Sequence, residues 1–347
     1  MTKVNRVLVT GGAGFIGSEL VRQLAERAKQ VIIIDNLSAG KRENLEGVLG
    51  DRVQLITADM RDEKRLPDLM QGVDVIFHLA CLGVRHSIHS PQENHTVNAT
   101  ATLQLLLAAR KVGVKRFVHV SSSEIYGTAC HVPMAEDHPI SPMTVYGASK
   151  LAGECYARSF FKTYGYPTVV IRPFNAYGPR CHHEGDSGEV IPKFLLRCMA
   201  GLPMIIFGDG SQTRDFSDVS DIASGILMAG LAKETIGETI NLGSGREISI
   251  KQLAGEAAKA AGQPKPMIRH DAPRPGDVSR LCADTTKARR LFGFKPKISL
   301  GEGLVRLRDW YLSVGNSPQT LLKEERVRNW ELKAPPKKHQ ASKVSSL

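Results

Sequence analysis

The stretch RVLVTGGAGFIG, residues 6–17, constrains the fold more than any other part of the chain. A β-branched apolar run ends at Thr10, and Gly11, Gly14 and Gly17 then recur at every third position. Helical spacing follows in SELVRQLAERA (18–28), with Leu20, Leu24 and Ala28 on one face. A glycine-rich turn between a buried strand and a helix lets the backbone approach a pyrophosphate. It also aims the unpaired N–H groups of the helix start at that charge. Gly17 leaves room for helix and strand to pack closely. Taken alone, such a turn is only a tight loop, and its surroundings decide its meaning. VIIID (31–35) reads as a second buried strand ending in Asp35. An acid about twenty residues past the turn is placed to hydrogen-bond a ribose 2′-hydroxyl. A carboxylate there repels a 2′-phosphate, which favours NAD over NADP, although Lys41 and Arg42 follow in the next loop. Asp59, at the end of VQLITAD (53–59), either meets the adenine or caps the next turn.

The alternation continues through VDVIFHLA (73–80), RFVHVSSS (116–123) and TVVIRPFN (168–175), with helical stretches at about 98–112 and 145–164. Continuous apolar strands separated by helices predict an α/β fold, a Rossmann-type doubly wound parallel sheet covered on both faces. Beyond 175, Pro and Gly become frequent, which predicts a smaller C-terminal α/β substrate lobe. DVSDIASGILMAG (218–230) and ETINLGSG (238–245) read as a helix and a strand returning to the main sheet. The expected division is therefore a dinucleotide-binding domain over 1–175, rejoined by 217–245. A substrate lobe is expected over 176–216 and 246–315, and a mobile polar tail over 333–347.

Several classes of function are excluded by what is missing. No apolar run approaches the roughly 20 residues of a membrane span, and the N-terminus lacks a signal-peptide layout, so a cytoplasmic location is expected. The six cysteines are scattered with no C-x-x-C pair, which argues against structural zinc. The net charge of +11 forms no single stripe, and part of it lies after Trp330, so no nucleic-acid partner is expected. His182, His183, Glu184 and Asp186 sit together in CHHEGDSGEV, but tandem residues in a Gly-rich loop rarely converge on one ion. A substrate-covering loop fits them better, and no metal is expected.

Tyr146 and Lys150 form Y-x-x-x-K, one helical turn apart and on one face. A nearby ammonium stabilises a phenolate, so the spacing predicts a tyrosine base with a lowered pKa. HVSSSEIYG (119–127) places Ser121, Ser122, Ser123 and Glu124 at a strand end, where open parallel sheets bind ligands. Taken in order, TGGAGFIG, FHLA (77–80), SSSEIYG, YGASK (146–150), RPFNAYGP (172–179) and GDGSQTRDF (208–216) resemble the extended short-chain dehydrogenase/reductases. Within them the likeness is to the NAD-dependent nucleotide-sugar epimerases and dehydratases, over roughly residues 5–313.

The resemblance implies that Ser122 holds the substrate hydroxyl, Tyr146 is the base, and Lys150 binds the nicotinamide ribose and tunes Tyr146. It places NAD against Gly11, Gly14, Phe15, Ile16 and Gly17, then Asp35, Asn36, Asp59 and Met60, then Leu79, Ala80 and Asn98. Asn98 corresponds to the helix asparagine behind the site. A nucleotide sugar would meet Arg85, Ser123 and Asn175, with Arg214 and Arg274 gripping phosphate through their bidentate forks. The resemblance also implies a homodimer through the helices at about 98–112 and 145–164, whose apolar stripes alternatively face the sheet.

Oxidation of a sugar at C4, leaving a 4-keto intermediate, is common to the family. A 4,6-dehydratase must also remove the C5 proton, which wants a carboxylate beside it. Glu124, two residues past Ser122, stands where the dehydratases and decarboxylases of the family carry a glutamate. Dehydratases of the thymidine-diphosphate-glucose type have Asp before that Glu, and this chain has Ser123, closer to the GDP-mannose type. The sequence therefore favours a 4,6-dehydratase, with a UDP-glucose-type 4-epimerase as the alternative and a UDP-glucuronate decarboxylase third. A non-catalytic NAD-binding scaffold is disfavoured by the intact Ser122, Tyr146 and Lys150 set.

Overall fold

The apolar runs become strands of one parallel sheet in the computed structural model, which describes residues 4–263, 265–274 and 277–331. The tail expected over 333–347 lies outside the described residues. In chain order the sheet takes β1 (Val4–Thr10), β2 (Ala28–Asp35), β3 (Val53–Thr57), β4 (Val75–His78), β5 (Arg116–Val120) and β6 (Thr168–Pro173). The chain then leaves it for β7 (Asn175–Tyr177), β8 (Met204–Phe207) and β9 (Thr213–Asp218). It returns with β10 (Thr239–Leu242) and leaves again for β11 (Glu247–Ser249) and β12 (Ile268–Asp271). The spatial order is β10-β6-β5-β4-β1-β2-β3, with every neighbouring pair parallel. The order reverses between β1 and β4, and at such a switch a parallel sheet opens a crevice beyond its carboxyl ends.

The strands read as unbroken apolar runs because both faces are covered. Alternate residues go to opposite sides. Val7, Val9, Ile33, Phe77 and Val118 pack toward the helices Phe15–Ala25 and Val219–Leu231. Leu8, Ile34, Ile76 and Phe117 pack toward the helices Ala101–Lys111 and Val145–Tyr164. A second core gathers Phe194, Met204, Leu253, Ala257, Leu304 and Tyr311 from the later part of the chain. Two small sheets, β11-β9-β7 and β12-β8, accompany it. The result is a Rossmann-type fold with a smaller α/β lobe beside it.

Element boundaries differ from the periodicity in two places. The first helix starts at Phe15 rather than Ser18, because extended Gly14 (φ −75°, ψ −178°) opens it directly from the turn. It ends at Ala25, so Ala28 does not continue its apolar face but pairs with Val4 in β2. The single helix expected at 98–112 is interrupted, as Pro91–His95, a π-helical turn Thr96–Thr100, and then Ala101–Lys111. Among the described residues no helix is long and apolar enough to cross a membrane.

Candidate active site

A cleft of about 1330 Å³ runs along the carboxyl ends of the sheet. A small-ligand site usually has roughly 300–1,000 Å³, so this one has room for two extended ligands. The glycine turn forms one wall. A Cβ at Gly17 would lie 2.1 Å from the Gly11 carbonyl oxygen, so only glycine lets the helix seat on the turn. A Cβ at Gly14 would meet only that same oxygen, at 3.2 Å, so this residue faces open space. No side chain caps the helix that starts here, and its first N–H groups have no partner within the helix. This is a cradle for phosphate oxygens, and the dinucleotide diphosphate of NAD fits it.

Asp35 closes the same end. Its carboxylate accepts from Ala13 N (2.9 Å) and Leu37 N (2.9 Å), which fixes its direction at the end of β2. Burial nevertheless holds its pKa above the usual range. Lys41, a candidate partner for a 2′-phosphate, is instead paired with Glu184 at 2.7 Å. Asp59 both lines the cleft and organises the next turn. It accepts from Arg61 N (2.8 Å), Arg61 Nε (2.9 Å) and Asn36 Nδ2 (3.1 Å). The Arg61 hydrogen bonds are the main cause that holds the Asp59 carboxyl down at about 2.

Ser122, Glu124, Tyr146 and Lys150 meet at the ends of β5 and β6. Thr144 caps the helix Val145–Tyr164 by accepting from Gly147 N at 3.1 Å. A Cβ on Gly147 would lie 2.8 Å from the Glu124 carbonyl oxygen, so the glycine lets the helix press against the Ser122–Glu124 turn. Ser122 Oγ accepts from Glu124 N (3.2 Å), and the Ser122 hydroxyl is hydrogen-bonded to Tyr146. Glu154, one turn beyond Lys150, clamps this helix to β6. It accepts from Arg172 Nε (3.0 Å) and Nη2 (2.5 Å), with both side chains buried.

One expectation needs correcting. The lysine does not stand out as the group acidifying Tyr146. Lys150 Nζ donates to the Val120 carbonyl at 2.5 Å, and burial lowers its own pKa. Burial also pushes the Tyr146 hydroxyl well above the ordinary phenol range. The Ser122 hydrogen bond opposes that shift, while Cys81, Glu124 and Glu189 add to it. The helical spacing brought both residues to one face, but it could not show that a strand carbonyl takes the ammonium.

Arg85, Arg214 and Arg274 line the far part of the cleft with Ser123 and Asn175. Arg214 is held by Asp277 at 2.7 Å. Arg85 and Arg274 have no ion-pair partner among the described residues, though burial pulls the pKa of each down, that of Arg274 to about 10. Arg274 Nε and Asn175 Oδ1 are buried and have no hydrogen-bond partner among the described residues. Buried polar atoms rarely stay unpaired, so the Arg274 donor is free for an anion and the Asn175 acceptor for a hydroxyl or N–H. Glu124 faces the three arginines. Burial raises its pKa while Arg214, Arg85 and Arg274 oppose the shift.

Every residue expected at the site lines this cleft except Asn98. Asn98 sits behind the wall, where the resemblance put it. Its Oδ1 accepts from Leu82 N (2.8 Å), and its Nδ2 donates to Leu82 O (2.9 Å) and Ser149 Oγ (3.1 Å). It therefore ties the loop after β4 to the helix carrying Tyr146. It lies in a π-helical turn, which no periodicity reveals. His182 and His183 pair with Glu184. Among the described residues no group of three or more His, Cys, Asp or Glu is placed to hold a metal ion. The sequence reading missed Cys81, Lys193, Phe207 and Trp330, which also line the cleft. Phe207, next to the GDGSQTRDF motif, and Cys81, next to FHLA, had a signal nearby.

A family model described as GDP-mannose 4,6 dehydratase matches residues 8–307. A UDP-glucose 4-epimerase of Mycolicibacterium smegmatis is 38% identical over 310 residues, covering 88% of this chain and 98% of the relative. A dTDP-glucose 4,6-dehydratase of Streptomyces niveus is 35% identical over 315 residues, covering 88% and 92%. A dTDP-glucose 4,6-dehydratase of Streptomyces venezuelae, solved with NAD bound, superposes with a TM-score of 0.83. It is 35% identical and covers 89% of this chain and 97% of that one.

Proposed function

The chain belongs to the family of NAD-dependent nucleotide-sugar epimerases and dehydratases, and we propose that within it this protein is a nucleoside-diphosphate-sugar 4,6-dehydratase. The observation that carries the choice is Glu124. It is a carboxylate in the cleft beside the Ser122–Tyr146 pair, with a pKa raised by burial. A base of raised pKa is what proton removal from a carbon next to a ketone needs.

In this reading the diphosphate lies between Asn175, Arg214 and Arg274, which leaves the sugar near Ser122 and Tyr146. Tyr146 takes the proton of the C4 hydroxyl, while Ser122 holds that hydroxyl and the phenol in one line. Burial opposes the phenolate, so the Ser122 hydrogen bond is what this chain itself contributes to its formation. When bound, NAD would supply the acceptor for the C4 hydride and would give that hydride to C6 once the C6 hydroxyl has left, with C5 regaining a proton from water. The C4 ketone acidifies C5, Glu124 removes the C5 proton, and the C6 hydroxyl departs as water. Ser123 supplies no acid beside Glu124, so protonated Glu124 gives its proton to that leaving hydroxyl.

A second reading, 4-epimerisation, is favoured by the 38% identity to a UDP-glucose 4-epimerase. It requires Ser122, Tyr146 and Lys150 but leaves Glu124 without a chemical task. The homodimer belongs to the same proposal, and Leu107 and Tyr164 stand exposed on the two helices expected to pair. The deciding experiment incubates the protein with UDP-, GDP- and dTDP-hexoses and weighs the products. Loss of one water from one of them is expected. An isomer of unchanged mass would replace dehydration by epimerisation.

A further inference from the structure

The family match ends at residue 307, yet the chain continues into the cleft. After the helix Leu300–Ser313, a short helix Pro318–Leu321 leads into residues 322–331, which run back to the substrate side of the cleft. This segment is firmly attached. Gly185 N donates to Glu324 O (2.8 Å), and Lys193 Nζ donates to Arg326 O (2.8 Å). Arg197 grips Glu325 through Nε (3.0 Å) and Nη2 (2.7 Å), and Arg328 grips Asp271 through Nε (3.1 Å) and Nη2 (2.6 Å). Arg326 is paired with Asp186.

Its last residues reach the two cleft arginines that have no ion-pair partner among the described residues. Asn329 is buried, and its Oδ1 accepts from Arg85 Nε at 3.2 Å. Its Nδ2 donates to the carbonyls of Asp186 and Gly188, both at 3.0 Å, which fixes the amide's orientation. Trp330 stands edge-on to Phe207, with ring centroids 4.6 Å apart. The Arg274 guanidinium lies 5.2 Å from the Trp330 ring and 5.4 Å from the Phe207 ring. An aromatic face stabilises a cation without neutralising it, so Arg274 keeps its full charge for an anion. A neutral amide does the same for Arg85, where a carboxylate would have competed with the ligand.

We propose that Asn329 and Trp330 are positioning residues of the substrate site, holding Arg85 and Arg274 ready for the anionic part of a nucleotide sugar. This rests on the nucleotide-sugar reading above. The segment acts on substrate affinity and leaves the dinucleotide end, formed around Gly11–Gly17 and Asp35, unchanged.

The chain has two tryptophans, Trp310 and Trp330, so Trp310→Phe leaves Trp330 as the only indole reporter. UDP, GDP and dTDP are each titrated against this variant, with emission followed. One of them should change Trp330 emission saturably. Calorimetric Kd values for that nucleotide are then measured in the intact chain and in Asn329→Ala and Trp330→Leu. Each point variant should weaken binding by about tenfold, as expected for losing a desolvated cation–π or charged hydrogen-bond partner. KM should rise in parallel, with kcat and NADH affinity within about twofold of the intact chain. A nucleotide Kd unchanged in both point variants would overturn the proposal and leave the nucleotide-sugar reading standing. Failure of all three nucleotides to bind the intact chain would overturn both.

Discussion

Replacing Glu124 with Gln tests the step that separates dehydration from epimerisation. The change is isosteric. It keeps the backbone hydrogen bond from residue 124 to Ser122 Oγ (3.2 Å) and the approach of Gly147. What is lost is one charge facing Arg85, Arg214 and Arg274 and one proton acceptor. A positioned general base contributes about 10²–10⁴ in rate, or roughly 3–5 kcal/mol of barrier, so turnover to the dehydrated product should fall by that factor. Substrate binding should hold or tighten slightly, because the arginines lose a competing anion. C4 oxidation, which depends on Tyr146 and Ser122, should persist as reduction of bound NAD in a single turnover. The direct assay is solvent deuterium entering C5 of the substrate, expected in the wild type and absent in the variant. The pH profile gives a second reading. Glu124 acts as a base when ionised, and burial raises its pKa. Wild-type activity should therefore fall on acidification at a pH above the usual glutamate range, and the variant should lack that limb. Normal deuterium uptake at C5 in Glu124→Gln would refute the assignment.

Three further outcomes are expected. Glu154→Gln breaks the buried pair with Arg172 and should cost about 3 kcal/mol in urea unfolding, since the guanidinium stays buried with its charge uncompensated. Gly17→Ala sets a methyl 2.1 Å from the Gly11 carbonyl oxygen, so the backbone must shift. NADH affinity, followed by fluorescence, should then drop by about tenfold or more, as the phosphate cradle moves with it. Glu189 is raised to about 7 by burial, with Glu184 adding to the shift and His182 and Arg85 opposing it. An acid raised in the folded state favours folding when protonated, and that stability is lost as pH climbs from the usual glutamate range to about 7. Glu189→Gln should thus raise thermal stability by on the order of 1 kcal/mol above neutrality and change little near pH 5.

The sheet was legible because its strands are buried on both faces and read as unbroken runs, and because β-branched residues dominate them. Even the return of residues 239–242 to the sheet edge carried that signature. Boundaries were less legible where two elements compete for one residue. Ala28 satisfies a helical face by spacing, yet its backbone is claimed by pairing with Val4. In the same way, Asn98 sits in a helical pattern that nothing local marks as π-helical. Its hydrogen bonds to Leu82, and through Ser149 to the helix carrying Tyr146, arise from tertiary packing alone.

The site divides along the same line. Residues fixed by a turn or by one helical repeat, Gly11 to Gly17 and Tyr146 with Lys150, are local in sequence, and motif reading finds them. Asn329 lies 244 residues from the Arg85 it meets, in a polar segment with no periodicity, and no spacing rule connects them. The direction of Lys150 is hidden for a related reason. A buried ammonium takes the nearest acceptor that strand geometry offers, here the Val120 carbonyl, and that choice depends on how deeply β5 ends below the helix. Motifs therefore report which groups a fold brings to a site. The electrostatic state of those groups is set by burial and by partners from distant segments. Burial raises both Tyr146 and Glu124 in one cleft, and the distant arginines oppose the shift only at Glu124. Of the two candidate bases, the carboxylate is the easier to ionise, and the tyrosine depends more on what lies against it.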